Sequence, residues 1–146
     1  MTPVGTHHLA EYYGVDARTL QDESLLVATL GAALDAAGFH ILQTSSYRFS
    51  AGGFGVTGFF LLSESHLAFH SYPEYEYLAL DLFSCGSAQP ERVLADLTAA
   101  LKPASVEVSK HQRGGRIELS AERASKAEPA GTLFDIASLG PDHLRN

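Results

Sequence analysis

Apolar positions recur with two different periods along this chain, and each period predicts a different element. From Glu23 the apolar residues follow a helical spacing, and Gly38 stands where a helix C-terminal glycine is typical, so the pattern predicts a helix over 23–37. A second apolar stripe after Pro90 predicts a helix over 90–102. Segments rich in β-branched and aromatic residues predict strands at 8–13, 39–49, 56–63, 65–71, 76–84, 105–110 and 116–120.

Side chains alternate along the predicted strand 76–84. One face holds three leucines and suits a covering layer of helices. The other face holds Tyr77, Ala79, Asp81, Phe83 and Cys85. Short turns such as the one around Pro73 favour an antiparallel meander, and the polar segment 16–22 is expected to be a loop. The sequence therefore predicts an α+β fold, a two-layer α/β sandwich with an antiparallel sheet and two helices on one face.

The second face of this sheet is too apolar to be left in water, because we place Phe60, Tyr77 and Phe83 on it. Pairing two such faces would bury these side chains in a homodimer. We therefore expect the protein to dimerise through its sheet.

The length of 146 residues allows one domain with a well-buried core. Beyond Glu122 the pattern changes to Ala, Ser, Glu, Pro and Gly, so we expect a single domain over 1–122 and a loosely ordered tail over 123–146. Seventeen acidic and ten basic side chains give a formal charge of −7, and no Lys or Arg run exists to follow a phosphate backbone. Nucleic acid is not an expected partner.

The longest apolar runs are far shorter than the roughly 20 residues that a membrane span requires. The chain also does not begin with a basic segment leading into an apolar one. We therefore expect a cytoplasmic protein that does not enter a membrane. With one cysteine, no internal disulfide is possible.

Reactive side chains concentrate around Ser65, which stands between Glu64 and His66 and is followed by His70 and the lone Cys85. For each of these residues alone an ordinary structural role is the more common one. A zinc site from the two histidines and the cysteine is disfavoured, because strand positions four apart lie about 13 Å from each other. No zinc or other metal is expected.

A hydrolase triad of Ser65, His70 and Asp81 is also disfavoured, because no Gly-x-Ser-x-Gly elbow surrounds the serine. The remaining chemistry is self-cleavage. The Ser65 hydroxyl can attack the Glu64 carbonyl to give an ester, and removal of the Ser65 α-proton by a histidine then leaves dehydroalanine. Hydrolysis of that group gives a pyruvoyl group, so the chain would make its own cofactor.

These residues belong to motifs that closely resemble the short prokaryotic S-adenosylmethionine decarboxylase proenzymes. The resemblance covers about residues 5–116. The motifs are Gly55-Val56-Thr57-Gly58, Leu62-Ser63-Glu64-Ser65-His66-Leu67, His70, Tyr72-Pro73-Glu74 and Asp81-Leu82-Phe83-Ser84-Cys85-Gly86, with further matches at Gly5, His7, Glu11, Tyr13, Arg48-Phe49, His111 and Arg113-Gly114.

The resemblance implies cleavage between Glu64 and Ser65 into a β chain, 1–64, and an α chain, 65–146, whose first residue carries the pyruvoyl group. It implies that His70 is the base of processing, assisted by the hydroxyl of Thr57, and that Cys85 donates a proton to the product. The family's short members are dimers with active sites at the subunit interface. A small amino-acid-type substrate is therefore the expected partner, together with a second protomer.

The chain departs from the family pattern at two places. Thr57 stands where the family usually has serine; it keeps the hydroxyl but is stiffer at χ1. Between Phe49 and Gly55 the family has a three-residue link with proline, whereas this chain has the five residues Ser50-Ala51-Gly52-Gly53-Phe54. The region helps to stack adenine in the family, which makes Phe49, and next Phe54, candidates for substrate binding. The matched motif adds Glu74 as a candidate for ribose or an amine.

Three functions stay open at this point. The first is conversion of S-adenosylmethionine to its decarboxylated form, the aminopropyl donor of spermidine biosynthesis. The second is decarboxylation of arginine or ornithine by the same pyruvoyl chemistry. The third is a non-catalytic homologue that regulates an active partner, and the intact Ser65, His70 and Cys85 weigh against it.

Overall fold

A computed structural model describes residues 3–63 and 65–115. Within these residues, six antiparallel strands form one sheet in the order β2-β3-β4-β5-β1-β6, with three helices packed on one face. The elements are β1 (Gly5–Tyr13), α1 (Ala17–Gln21), α2 (Glu23–Ala36), β2 (Ile41–Arg48), β3 (Val56–Leu62), β4 (Ser65–Tyr72), β5 (Tyr77–Ser84), α3 (Pro90–Leu101) and β6 (Ser105–Arg113), with a 3-10 turn over Pro73–Tyr75 between β4 and β5. The predicted α+β sandwich is confirmed.

The short helix α1 replaces the loop expected over 16–22. Asp16 accepts hydrogen bonds from the backbone N–H groups of Arg18 and Thr19, which caps the first turn, and Leu20 is fully buried. The prediction was wrong because a five-residue helix is too short to show a period. Asp22 caps α2 in the same way through the N–H of Leu25.

The last strand also differs from its prediction. The segment expected over 105–110 continues to Arg113, because β6 pairs with β1 along its whole length. The strand predicted over 116–120 and the tail predicted over 123–146 lie outside the described residues.

The core lies between the helices and the sheet. The three leucines of β5 are buried in it, as the alternation predicted, and Tyr12 donates a hydrogen bond from its hydroxyl to the carbonyl of Leu94 in α3. Phe60, which we expected on the opposite face, is buried in the core as well. It pairs with buried Leu67 and therefore faces the helices. The error arose because β3 is apolar at nearly every position, so its composition does not reveal its two faces.

The sheet face opposite the helices is called the open face. No helix among the described residues lies on it, yet it carries large apolar side chains at the surface. Those that are exposed are Tyr13, Tyr47, Phe59, Leu61 and Tyr72. Tyr77 stacks between Tyr13 and Tyr72, with ring centres 5.3 and 5.5 Å away. The expectation of an apolar second face therefore holds, with Phe59 and Leu61 in place of Phe60.

Candidate active site

Thr57 and His70 face each other on neighbouring strands of the open face. The register of β3 and β4 pairs the two residues directly, and Thr57 Oγ1 lies 2.7 Å from His70 Nδ1 in a hydrogen bond. The imidazole is exposed at a shallow cavity of about 290 Å³, which is also lined by Tyr47 and Phe59. On the helix side of the same two strands, Gly58 leaves room for the buried ring of Phe69, which a Cβ there would overlap. A single chain thus brings the Thr57 hydroxyl and the His70 imidazole into contact, and their role in processing stays a prediction.

Ser65 is the first residue of β4 and lies at the other end of the strand. It pairs with buried Leu62, which places Ser65 on the helix side of the sheet, and it lines a cavity of about 180 Å³ with His40 and Ser63. Ser63 donates its N–H to the carbonyl of His40, which holds the preceding turn. Glu64, the other half of the predicted cleavage site, lies outside the described residues.

One protomer does not bring Ser65 and His70 together. The two residues are five positions apart on a strand whose pairing with β3 and β5 runs without a shift, so they lie on opposite faces and about 16 Å apart. A bulge at Ser65 would place the two side chains on one face, but none occurs in the paired segment.

Cys85 follows β5 directly and lies near Ser65. His66 pairs with Phe83, so the same register brings Ser65 close to Ser84 and one residue away from the cysteine. Cys85 lines a cavity of about 380 Å³ with Gly5 and Lys110. A Cβ at Gly5 would lie 2.7 Å from the carbonyl oxygen of Ser84 and 3.1 Å from Cβ of Cys85, so glycine is needed there. We call this region the Ser65–Cys85 end.

A row of histidine and aromatic rings crosses the open face next to that end. His66 stacks between Phe59 and Phe83, with centroid distances of 5.8 Å on both sides, and His7 meets it edge-on at 6.0 Å. Burial lowers the pKa of His7, Asp81 opposes this shift, and the other nearby cationic groups add to it. Those groups are His66, Arg113 and His111. Sequence reasoning missed this row, because only strand pairing places its members side by side.

The three predicted substrate-binding residues do not lie on one surface. Phe49 packs its ring against Tyr47 at 5.2 Å, beside the open face. Phe54 lies under the guanidinium of Arg48, 5.5 Å from the ring centre, and Arg48 Nε donates to the carbonyl of Gln21 on the helix side. The carboxylate of Glu74 is exposed and lies against Gly53.

Residues 3–63 and 65–115 carry neither a metal-binding cluster nor a membrane-spanning helix. No group of three His, Cys, Asp or Glu side chains is arranged there to hold a metal ion. No helix there is long and apolar enough to cross a membrane.

Comparison with known proteins identifies relatives along most of the chain. A family model described as S-adenosylmethionine decarboxylase matches residues 6–114. The S-adenosylmethionine decarboxylase proenzyme of Thermotoga maritima is 35% identical over 131 residues, which is 89% of this chain and 99% of that protein. The proenzyme of Picrophilus torridus is 35% identical over 116 residues, or 79% of this chain and 88% of that protein.

A solved structure agrees with these matches. The adenosylmethionine decarboxylase of Aquifex aeolicus superposes with a TM-score of 0.73 at 28% sequence identity, covering 82% of this chain and 98% of that one. The fold is therefore that of an α+β decarboxylase. The chain belongs to the S-adenosylmethionine decarboxylase family, which confirms the resemblance of its motifs.

Proposed function

We propose that the protein is a self-cleaving, pyruvoyl-dependent decarboxylase that converts S-adenosylmethionine to its decarboxylated form, the aminopropyl donor of spermidine biosynthesis. The observation that carries the proposal is the family match over residues 6–114, because this range contains Ser65, His70 and Cys85 together. Relatives of similar length are named as proenzymes, which supports cleavage as the step that activates the chain. Location in the cytoplasm stays a prediction.

The environment of Ser65 fits a serine that becomes a pyruvoyl group. It begins a strand directly after a turn, and it is half-buried at a small cavity. Attack of its hydroxyl on the Glu64 carbonyl converts the amide to an ester. Removal of the α-proton then breaks the bond between Cβ and Oγ, releases Glu64 as a carboxylate and leaves dehydroalanine at position 65. Tautomerisation to an imine and hydrolysis by water then release ammonia and leave the ketone of a pyruvoyl group. Once formed, the ketone of a pyruvoyl group supplies an electron sink beside the bond that loses carbon dioxide.

His70 is proposed as the base of processing. Its Nδ1 lies in a hydrogen bond with Thr57 Oγ1, which fixes the ring orientation, and the tautomer that donates from Nδ1–H leaves Nε2 unprotonated and able to act as the base. Threonine in place of serine is compatible with this role, since the hydroxyl already lies at hydrogen-bond distance. Cys85 is proposed as the proton donor to the decarboxylated product.

The distance of about 16 Å between Ser65 and His70 in one protomer supports an active site built by two protomers. In a two-fold dimer the same surface of both chains meets itself, so opposite ends of the two sheets can overlap. The Ser65–Cys85 end of one protomer would then meet Thr57 and His70 of the partner subunit. The exposed Phe59 and Leu61 lie between the two regions and would be covered by the same contact.

Cleavage should be visible on a denaturing gel. The 15.6 kDa chain is expected to give a 64-residue and an 82-residue fragment, the latter being the difference between 146 and 64. Ser65→Ala should stay a single band without carbon dioxide release, while Ser63→Ala, a change in the same turn, should still be cleaved. An uncleaved wild-type chain that releases no carbon dioxide would contradict the enzyme proposal.

The five-residue link between Phe49 and Gly55 favours one alternative substrate class, because a changed adenine region is compatible with a smaller amino acid. Carboxyl-labelled S-adenosylmethionine, arginine and ornithine should therefore be supplied separately to the processed enzyme. We expect release of label from S-adenosylmethionine. Release from arginine or ornithine alone would overturn the substrate assignment and keep the pyruvoyl chemistry.

A further inference from the structure

The link between Phe49 and Gly55 is held by contacts from α1 and β2. Gln21 Nε2 in α1 donates a hydrogen bond of 3.2 Å to the carbonyl of Gly53. Phe54 has a positive φ of 58° and lies under the Arg48 guanidinium. A link with two extra residues and two glycines is therefore tied to α1 and β2 along its second half.

Gly53 also touches the candidate substrate-binding carboxylate. A Cβ on residue 53 would overlap Oε2 of Glu74 and would lie 3.2 Å from its Oε1. Glu74 belongs to the 3-10 turn whose first residue, Pro73, is buried, so the backbone of the turn is anchored while the carboxylate is at the end of a flexible side chain. Any side chain at 53 would consequently move the carboxylate before it moved the fold.

We propose that Gly53 and Gln21 are positioning residues for the Glu74 carboxylate, and that this contact sets how Glu74 receives the hydroxyl or ammonium groups of the substrate. The inference rests on the proposed function, in which Glu74 contacts substrate. Gln21 fixes the carbonyl of Gly53, Gly53 leaves room for the carboxylate, and Glu74 accepts the hydrogen bonds. The unusual link thus acts as part of the binding site without supplying a stacking ring.

The nearby Gly55 is required by the backbone, whereas Gly53 contacts only a side chain. A Cβ at Gly55 would overlap the backbone carbonyl oxygen of Ser71, which is held in place because Ser71 pairs with Leu78 of β5. Gly55→Ala should therefore lower stability. Gly53→Ala meets only the end of a side chain, so its effect should appear in substrate binding.

The test is Gly53→Ala, with steady-state kinetics on S-adenosylmethionine. We expect KM to rise about tenfold with kcat and self-cleavage unchanged, because the displaced carboxylate affects substrate and transition state equally. Gly52→Ala is the control for damage to the link: Gly52 has a positive φ of 69°, so an added Cβ strains the backbone, but that Cβ meets no atom within 4 Å and should leave KM unchanged. Gln21→Leu should raise KM by a smaller factor.

A double substitution separates this mechanism from general damage to the link. Because Gly53 acts through Glu74, the variant Gly53→Ala with Glu74→Ala should have the same KM as Glu74→Ala alone. Additive increases in KM in the double variant would overturn the inference. An unchanged KM in Gly53→Ala or in Glu74→Ala alone would also overturn it. Wild-type protein that releases no carbon dioxide would contradict the proposed function. Active wild-type protein combined with one of these KM results would contradict only the positioning role of Gly53, so the two failures are distinguishable.

Discussion

The Thr57–His70 pair and the Ser65–Cys85 end lie at opposite ends of strand β4, and a single chain completes them to different degrees. At the pair, the register of two central strands is enough to place a hydroxyl 2.7 Å from an imidazole on the open face. At the other end, Ser65 and Cys85 are close, but the proposed base lies about 16 Å away along the strand. Pairing between strands brings residues of neighbouring strands into contact, whereas residues spaced along one strand stay apart.

A site shared between two protomers, as proposed, would give the open face a function. Its exposed aromatic residues would be costly for a monomer to leave in water, and a second protomer would both cover them and supply the missing half of the site. Dimerisation and catalysis would therefore depend on the same surface.

The largest expected effect comes from placing a charge on that surface. Phe59→Glu should give a monomer that is neither cleaved nor active, because a buried carboxylate would oppose pairing of the two sheets. Leu25→Glu is the matched control, since Leu25 is similarly exposed but lies on α2. Sedimentation and a denaturing gel measure both properties. A monomeric Phe59→Glu protein that still cleaves itself would break the proposed link between the two regions.

The next effect is expected at the Thr57–His70 pair. His70→Ala should slow cleavage by roughly 100- to 10,000-fold, the usual contribution of a positioned acid or base. Thr57→Val should slow it less, and Thr57→Ser should restore it, because only the hydroxyl is required. The rate of fragment formation after synthesis in a cell-free system measures these differences. Normal cleavage of His70→Ala would remove His70 from its role.

A smaller and more selective effect is expected at Cys85. Cys85→Ala should still be cleaved, because the thiol is not needed to form the ester, but should release carbon dioxide roughly 100-fold more slowly. A quench-and-gel assay and a turnover assay on the same sample separate the two steps. Full turnover by this variant would assign the proton donation to another group.

The smallest effect concerns Glu91, beside the cavity of the Ser65–Cys85 end. A hydrogen bond from Lys110 lowers the pKa of Glu91 to about 2 from its usual 4.5. The ionised form therefore stabilises the fold above about pH 4.5, and this contribution is lost as the pH falls towards 2. Because Glu91 is exposed, Glu91→Gln should cost at most about 1 kcal/mol at neutral pH. Thermal melts at pH 7 and pH 2 should show that difference disappearing.

Composition and period predicted the layers well wherever polar and apolar residues alternate, as in β5. They failed for Phe60, because β3 is apolar on both faces and only its pairing with Leu67 assigns the side. They also failed for α1, whose single capped turn shows no period.

The candidate site could likewise be predicted only in part from the sequence. Ser65, His70 and Cys85 could be chosen from motifs, since the chemistry requires those residue types. The spacing of Ser65 and His70 also predicts opposite faces of one strand, but whether a bulge corrects this depends on the register and needed the structure. The contact between Gly53 and Glu74 joins a link and a turn that are distant in sequence, so it required the tertiary structure.

Mixed dimers show directly whether one active site takes Ser65 from one protomer and His70 from the other. Ser65→Ala and His70→Ala chains, each carrying a different tag, should be expressed together and the doubly tagged dimer purified. A site shared between protomers predicts that the His70→Ala chain is cleaved by His70 of the partner subunit, with about half of the wild-type activity per dimer, because one of two sites is intact. If both chains remain uncleaved and inactive, each protomer builds its own site, which contradicts a site shared between protomers.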